Sequence, residues 1–321
     1  MWAIFGKILY ESRDYAQAEN AYRKALEFSP EDHEIWRDLG LLLDQLNRYS
    51  DAEISYKKAL DLKPDDGRTL CNLGMLHIHQ NRLVEAEIAF GRIVEIDPQA
   101  SQIWFILGML WSEDAHKISR AESAFRKALE IDPKDSASLE YLGLLLAKDS
   151  KRLEEAEHCL NAAIELDSTA ENLEAIAHEI VKKTITPLLP RALSWAQKAQ
   201  QADPKSVSIQ FTLAFALLKL NRKEESLSAT RGFIQSIDFV KENLSDVIEF
   251  FIELAANGYA SETLQIIDAS PSQTHLEPLI IGLRKFLKMD VKAPLEIGEV
   301  SDDVVKRIQE RQSQTKRVKD D

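Results

Sequence analysis

The chain has 321 residues, and its 40 lysine and arginine residues against 53 aspartate and glutamate residues leave a net charge of −13. This acidic balance argues against broad contact with a phosphate backbone, so we expect no nucleic-acid partner. Glycine and proline number only 11 and 10, which disfavours collagen-like, disordered and turn-rich β architectures. The cysteines, Cys71 and Cys159, are too few for a disulfide framework or a metal knuckle, and we expect neither a metal nor a cofactor.

Hydropathy gives no sign of a membrane segment. The longest uncharged apolar stretch runs for nine residues, from Ile103 to Trp111, whereas a spanning helix needs about 20. The first residues do not combine a basic segment with a separate apolar core and a small-residue cleavage site, as a secretory signal would. We therefore expect a soluble, cytoplasmic protein without a membrane span.

A repeat of 34 or 35 residues dominates the first half of the chain. Glycines recur at this spacing, and prolines recur with the same period. These residues are Gly6, Gly40, Gly74, Gly108 and Gly143, together with Pro30, Pro64, Pro98 and Pro133. Because two unrelated residue types share the period, we interpret the repeat as a structural unit.

Each repeat has the pattern of two amphipathic helices. In the second repeat, Trp36, Leu39 and Leu43 are spaced as on one face of a helix, and a further apolar set follows in the second half. The small Gly40 allows two antiparallel helices to approach closely. Pro64 ends the second helix because it has no backbone donor. The chain is thus predicted to form a series of helical hairpins.

This pattern resembles the tetratricopeptide repeat family across residues 1 to about 169. Around each glycine an aromatic residue or leucine precedes a Leu-Gly or Phe-Gly pair, and small and aromatic residues such as Ala52 and Tyr56 follow about twelve residues later. The resemblance implies an all-α fold, an α-solenoid in which antiparallel helix pairs form a right-handed superhelix. It also implies a concave wall built from the first helix of each repeat.

The match weakens beyond residue 170. A sixth unit has Ala177 and His178 where Leu-Gly is expected and an insertion around 184–190, and a seventh keeps Leu213 and Ala214. Residues 245–270 are predicted to form a helix pair and residues 276–289 one more helix. The predicted organisation is five repeats in 1–169, two degenerate repeats in 170–240, a C-terminal helical pair and capping helix in 241–295, and a charged, partly ordered tail in 296–321.

The resemblance also indicates which residues face the concave groove. We expect the groove to bind a protein or peptide segment through apolar anchors that are rimmed by charged residues, with the fourth repeat supplying an unusually apolar stretch. Phe105 and Met109 could equally pack as core, so their role stays open. The candidate groove residues are Arg37, Leu41, Arg68, Asn72, Met75, Gln102, Phe105, Met109, Tyr141 and Leu144.

One specific form of groove binding is disfavoured. Some relatives hold the C-terminal carboxylate of heat-shock chaperones with Lys or Arg and Asn residues on consecutive first helices. Arg37 and Asn72 match two positions of that arrangement. Leu41, Gln102 and Ile106 occupy positions that require an amide and two cations. The sequence therefore does not favour a chaperone-tail site.

The first helix begins with apolar residues and no upstream cap. Trp2, Ile4 and Phe5 lie at its start, whereas a solenoid needs a polar terminal surface to stay soluble. We expect this end to be covered by an upstream segment missing from the chain or by a partner subunit. Self-association through this end is one form of that hypothesis.

Motifs typical of enzymes are missing from the sequence. It has no Walker loop, nucleotide-binding glycine turn, GxSxG or HExxH motif, and His178 is expected to be solvated. We interpret the chain as a non-enzymatic scaffold or adaptor that binds a protein segment in its groove. Two alternatives stay open. One is a sensor or regulatory arm of a larger signalling protein whose N-terminal part is missing here, and the other is a structural oligomer assembled through repeat ends.

Overall fold

A computed structural model describes residues 1–233, 244–268, 277–286 and 302–312. All regular secondary structure in these ranges is helical. A further helix covers residues 302–312. The helices before it are α1 (Trp2–Glu11), α2 (Tyr15–Phe28), α3 (His33–Gln45), α4 (Tyr49–Leu62), α5 (Gly67–His79), α6 (Leu83–Ile96), α7 (Ser101–Ser112), α8 (Ile118–Ile131), α9 (Ser136–Leu146), α10 (Leu153–Leu166), α11 (Ala170–Lys182), α12 (Leu189–Ala202), α13 (Val207–Lys219), α14 (Lys223–Phe233), α15 (Leu244–Leu254), α16 (Ala260–Asp268) and α17 (Glu277–Phe286).

The chain divides into two compact units, Met1–Leu145 and Leu146–Asp321. In the first unit α1 packs with α2, α3 with α4, α5 with α6 and α7 with α8. In the second unit α11 packs with α12 and α13 with α14. Successive pairs also contact one another within each unit, as α2 with α3 and α12 with α13. The predicted all-α solenoid of helix pairs is therefore confirmed.

Local sequence signals determine where the helices begin and turn. Asp32 and Asp66 cap α3 and α5 by accepting hydrogen bonds from the backbone N–H groups of Glu34 and Thr69. Asn47, which follows α3, has a left-handed φ of 57°, a conformation that asparagine tolerates better than most residues. Such residues end the first helix and redirect the chain into the second.

The core of the first unit contains one large aromatic residue from each second helix. Tyr22, Tyr56, Phe90 and Phe125 are at most 2% exposed. They lie at corresponding positions of α2, α4, α6 and α8, where small alanines surround them along the helix. Removing these side chains from water stabilises each hairpin and joins it to its neighbour.

Ion pairs connect successive second helices of the first unit. Arg48 at the start of α4 donates to Glu19 of α2 at 2.9 Å, and Arg82 at the start of α6 donates to Glu53 of α4 at 2.7 Å. Lys117 continues the series by pairing with the glutamate at position 87 of α6. These pairs were not predicted from the sequence, although glutamates at positions 19, 53 and 87 recur with the same period as the glycines.

The structure corrects the register of the sixth repeat. Thr169 caps α11, so Ala177 is its eighth residue, just as Gly40 is the eighth residue of α3 and Ala214 of α13. Ala177 is fully buried. The small residue that permits close packing is thus Ala177, and Ile176 precedes it. Ile176 and Ala177 therefore occupy the Leu-Gly positions, whereas the sequence had been read with Ala177 and His178 there, one residue too late.

The C-terminal region contains helices α15, α16 and α17 within its described residues. Helix α15 leads through a π-helical turn at Ala255–Tyr259 into α16, and Gly258 in that turn has a φ of 100°, which glycine adopts without strain. Helix α17 agrees with the additional helix predicted over 276–289 within its described residues. The proposed boundaries at 240/241 and 295/296, and the tail residues 313–321, lie outside the described residues.

Candidate peptide-binding surface

The candidate groove residues of the first unit lie on its first helices. Helix α3 packs against both α1 and α5, so these helices lie next to one another. Met75 and Tyr141 are each 37% exposed, and Phe105 and Met109 are half-buried. Leu144 is buried, so it offers no surface to a partner. We call the remaining set the first-helix surface: Arg37, Leu41, Arg68, Asn72, Met75, Gln102, Phe105, Met109 and Tyr141.

An aromatic cluster forms the apolar part of the first-helix surface. The ring of Phe105 on α7 meets the ring of Tyr141 on α9 edge to face, with centroids 5.4 Å apart and an interplanar angle of 88°. Both rings also contact the buried Phe125, at 6.1 and 5.9 Å. The cluster therefore extends from the core to the surface, where Tyr141 is its most accessible member.

An open recess lies beside this cluster, at the start of α7. Its volume is about 670 Å³, and Phe105, Ile106 and Gln102 line it together with Asp132 and Asp135 from the connection between α8 and α9. The recess combines an apolar wall with an acidic rim. It can accept an apolar side chain of a bound segment while the rim favours a basic neighbour.

Arg37, a charged residue of the first-helix surface, is already engaged in internal contacts. Arg37 donates to Asp38 at 3.0 Å and lies 3.8 Å from Asp66, and its side chain is only 12% exposed. Burial alone raises the pKa of Asp66, but hydrogen bonds from Thr69 and the charge of Arg37 outweigh it and leave the pKa below its usual value. Since Arg37 is committed to these carboxylates, it is not placed to hold a chaperone carboxylate.

Cys71 is the thiol nearest to this surface. It is half-buried on α5, and burial raises the pKa of its thiol above the usual value. A protonated thiol is a weak nucleophile. The geometry therefore does not favour covalent chemistry at Cys71.

A second recess, in the second unit, was missed by the sequence analysis. It has a volume of about 270 Å³ and lies among α11, α13 and α15, with Glu174, His178, Phe211 and Asp246 in its lining. Glu174 and His178 are the fifth and ninth residues of α11, as Arg37 and Leu41 are the fifth and ninth residues of α3. Because the sixth repeat was read one residue late, Glu174 and His178 were not assigned to these two positions.

His178 belongs to a hydrogen-bonded network and is not simply solvated as expected. The Thr212 hydroxyl donates to Glu174 Oε1 at 2.6 Å, and His178 Nδ1 lies 3.1 Å from the same hydroxyl. Because the hydroxyl gives its hydrogen to Glu174, His178 Nδ1 donates to Thr212. His178 Nε2 lies 3.5 Å from Asp246, which also accepts a hydrogen bond from Lys182 at 2.8 Å. Thr212 is fully buried, so its hydroxyl cannot attack a substrate.

The part of the chain that the structure describes contains neither a candidate metal cluster nor a candidate membrane-spanning helix. No group of three or more histidine, cysteine, aspartate or glutamate side chains there is arranged to hold a metal ion. None of the helices there has both the length and the apolar character needed to cross a bilayer.

The comparisons with known proteins agree with this architecture. A family profile described as tetratricopeptide repeat matches residues 5–67 and 113–171, and a second profile with the same description matches residues 67–100. The chain is a tetratricopeptide repeat protein. The two profiles cover α3, α5 and α9 of the first-helix surface but not α7, and the family supports a general role in protein interaction.

Several solved structures resemble the chain, and two of the following three are described as tetratricopeptide repeat proteins. A protein from Parabacteroides merdae is 17% identical, covers 79% of this chain and 97% of its own, and has a TM-score of 0.60. PilF of Pseudomonas aeruginosa is 21% identical, covers 65% and 93%, and has a TM-score of 0.49. YrrB, described as a TPR protein with an unusual peptide-binding site, is 22% identical, covers 59% and 95%, and has a TM-score of 0.46. A search of curated proteins finds no significant match.

Proposed function

We propose that the protein is a non-enzymatic cytoplasmic scaffold that binds a peptide or protein segment on the first-helix surface of its first unit. The observation that carries this proposal is the aromatic pair of Phe105 and Tyr141, which reaches the surface beside the open recess. Exposed aromatic residues next to an apolar pocket are frequent binding hot spots.

The lining of the recess suggests the chemistry of the segment. Phe105 and Ile106 offer apolar contacts, whereas Asp132 and Asp135 carry negative charge at the rim. A segment with an apolar anchor followed closely by lysine or arginine matches both features. Selecting peptides from a random library against the full chain would identify such a segment.

The test compares two truncations of exposed side chains. Tyr141→Ala removes an accessible member of the aromatic cluster, and Ile54→Ala removes an exposed apolar side chain of α4 outside the first-helix surface. We expect Tyr141→Ala to weaken binding of the selected peptide by about 1–2 kcal/mol, close to tenfold, and Ile54→Ala to leave it unchanged. Calorimetry measures both. Equal affinities for the two variants would contradict the proposal.

A second candidate function is assembly of two copies through α1. The side chains of Trp2, Ile4 and Phe5 are 38%, 68% and 45% exposed, and the rings of Trp2 and Phe5 meet edge to face at 6.2 Å. Two copies of this face would bury apolar area in a symmetric contact. Light scattering should give a mass that rises with concentration, and Trp2→Asp with Phe5→Asp should restore the monomer. A monomeric mass at high concentration would exclude this assembly.

A further inference from the structure

The helix at residues 302–312 packs against the second unit through one face. Val304 and Ile308 lie one helical turn apart and are 3% and 0% exposed. Arg307 and Arg311, also one turn apart, lie on the adjoining stripe of the same helix. The helix therefore presents two apolar and two basic side chains together.

Helix α15 supplies the carboxylates that these arginines contact. Arg307 pairs with Glu249, and Arg311 bridges Glu249 and Glu253 with two contacts of 3.1 Å. Glu253 also accepts a hydrogen bond from Lys219 of α13 at 2.7 Å. The C-terminal helix thus lies along α15, next to α13.

Without the C-terminal helix, α15 would present an acidic surface. Glu249 would lose its contacts with both arginines, whereas Glu253 would keep Lys219. The sites that now bury Val304 and Ile308 would also open to solvent. Such a surface is complementary to an amphipathic helix with apolar residues at i and i+4 and arginines at i+3 and i+7.

The contact between residues 302–312 and α15 is expected to open without unfolding of the rest of the second unit. An isolated helix of this length is marginal in water, so its order depends on the docking contact. The side chains of Arg307 and Arg311 remain 33% and 40% exposed, and ion pairs of this kind are weak and sensitive to salt. Local detachment should therefore need less free energy than unfolding of the second unit.

We propose that the surface of α15 beneath residues 302–312 is a second docking surface, which the chain's own helix occupies and which a basic amphipathic helix of a partner protein binds by displacing it. This site is independent of the first-helix surface of the first unit. The helix at residues 302–312 indicates which partner helix would bind. It shows the spacing of apolar residues and arginines that the surface of α15 accepts.

The test uses a fluorescent peptide with the sequence of residues 301–313 and the full chain. Arg311→Glu breaks the ion pairs of Arg311 with Glu249 and Glu253 and adds a charge that these two carboxylates repel. Lys306→Glu is the matched control, since Lys306 changes charge equally on the same helix but is 72% exposed and pairs only within that helix among the described contacts. We expect the Arg311→Glu chain to bind the peptide at least tenfold more tightly than the wild type and the Lys306→Glu chain to match the wild type.

Hydrogen exchange provides the second measurement. In the Arg311→Glu chain, amides of 302–312 should exchange faster while α13 keeps its protection. A peptide carrying Glu in place of both arginines should not bind. Equal peptide affinity of wild type and Arg311→Glu, or undiminished protection of 302–312, would overturn the proposal. Loss of protection throughout α13 would also overturn it, because the helix would then be an essential part of the unit.

Discussion

The ring of Tyr56 on α4 occupies the space into which a side chain at Gly40 on α3 would project. A Cβ at Gly40 would lie 2.6 Å from Tyr56 Cε1, well inside van der Waals contact. The same relationship joins Gly108 to the ring of Phe125 at 2.6 Å. Two repeats thus place a backbone directly against an aromatic ring, which explains why glycine recurs with the helical hairpin.

We expect Gly40→Ala to destabilise the first unit. Tyr56 is fully buried and cannot move away, so overpacking should cost about 1–3 kcal/mol despite the better helix propensity of alanine. Gly91→Ala on α6 is the matched control, since a Cβ there would meet nothing within 4 Å. It should stabilise the chain by about 0.5–1 kcal/mol. Urea unfolding measures both, and equal stability of the two variants would contradict the packing argument.

The ion pair between Glu53 and Arg82 should stabilise the stack above acidic pH. Hydrogen bonds from Arg82 and then Lys57 lower the pKa of Glu53 to about 2, against the opposing effect of burial. Because the folded pKa lies below the unfolded value, this contribution is complete above about pH 4.5 and is lost as the pH falls towards 2. Glu53→Gln should therefore be less stable than wild type at pH 6, with a difference that shrinks at pH 2.

The exposed Glu31 provides the control for that measurement. Glu31→Gln should follow the wild-type dependence of unfolding free energy on pH. A constant difference between Glu53→Gln and wild type from pH 6 to pH 2 would show that the carboxylate charge contributes nothing.

Protonation of His77 should destabilise the first unit in mild acid. Burial lowers the pKa of His77, with a further lowering by the charge of Arg82, and Nδ1 has no hydrogen-bond partner among the described residues. The unfolded chain then binds the proton more readily than the folded chain. Stability should be complete above about pH 6.5 and fall as the pH decreases below it.

Thermal unfolding between pH 8 and pH 5 tests this prediction. His77→Leu should lose less stability over that range than wild type, while His79→Gln, which changes an exposed histidine two residues later, should behave like wild type. Parallel pH profiles for His77→Leu and wild type would exclude His77 as the source.

The network around Thr212 should contribute to the stability of the second unit. Thr212→Val keeps the shape of the side chain but leaves Glu174 and His178 without their shared hydroxyl, which should cost about 1–3 kcal/mol. Thr186→Val, at an exposed threonine, should change stability little. Guanidinium unfolding compares the two, and a neutral Thr212→Val would show that water replaces the hydroxyl.

Much of the fold could be predicted because the repeat is local. Gly40 and Pro64 each act within one hairpin, through close approach and a missing donor, and apolar residues at helical spacing mark its two helices. The sixth repeat was assigned one residue late because Ala177 replaces glycine, and alanines are common enough to permit two registers. The cap at Thr169 resolved the choice, since it defines the first residue of α11.

The candidate site was less accessible to prediction. Family spacing indicated that Phe105, Tyr141 and Leu144 lie on first helices, but exposure depends on neighbours that the periodicity does not specify. Tyr141 remains partly exposed while Leu144 is buried. The periodicity also did not indicate that Arg37 forms ion pairs with Asp38 and Asp66 inside the unit.

The sequence by itself determined the helical hairpin, its period and its number of well-matched copies, because these follow from short-range spacing of apolar, small and helix-ending residues. Only the tertiary structure decided which side chains stay accessible, that His178 joins Thr212 and Asp246, and that residues 302–312 pair with α15. Those outcomes depend on contacts between residues far apart in the chain, such as the 62 positions that separate Arg311 from Glu249. Helical periodicity carries no information about such distances.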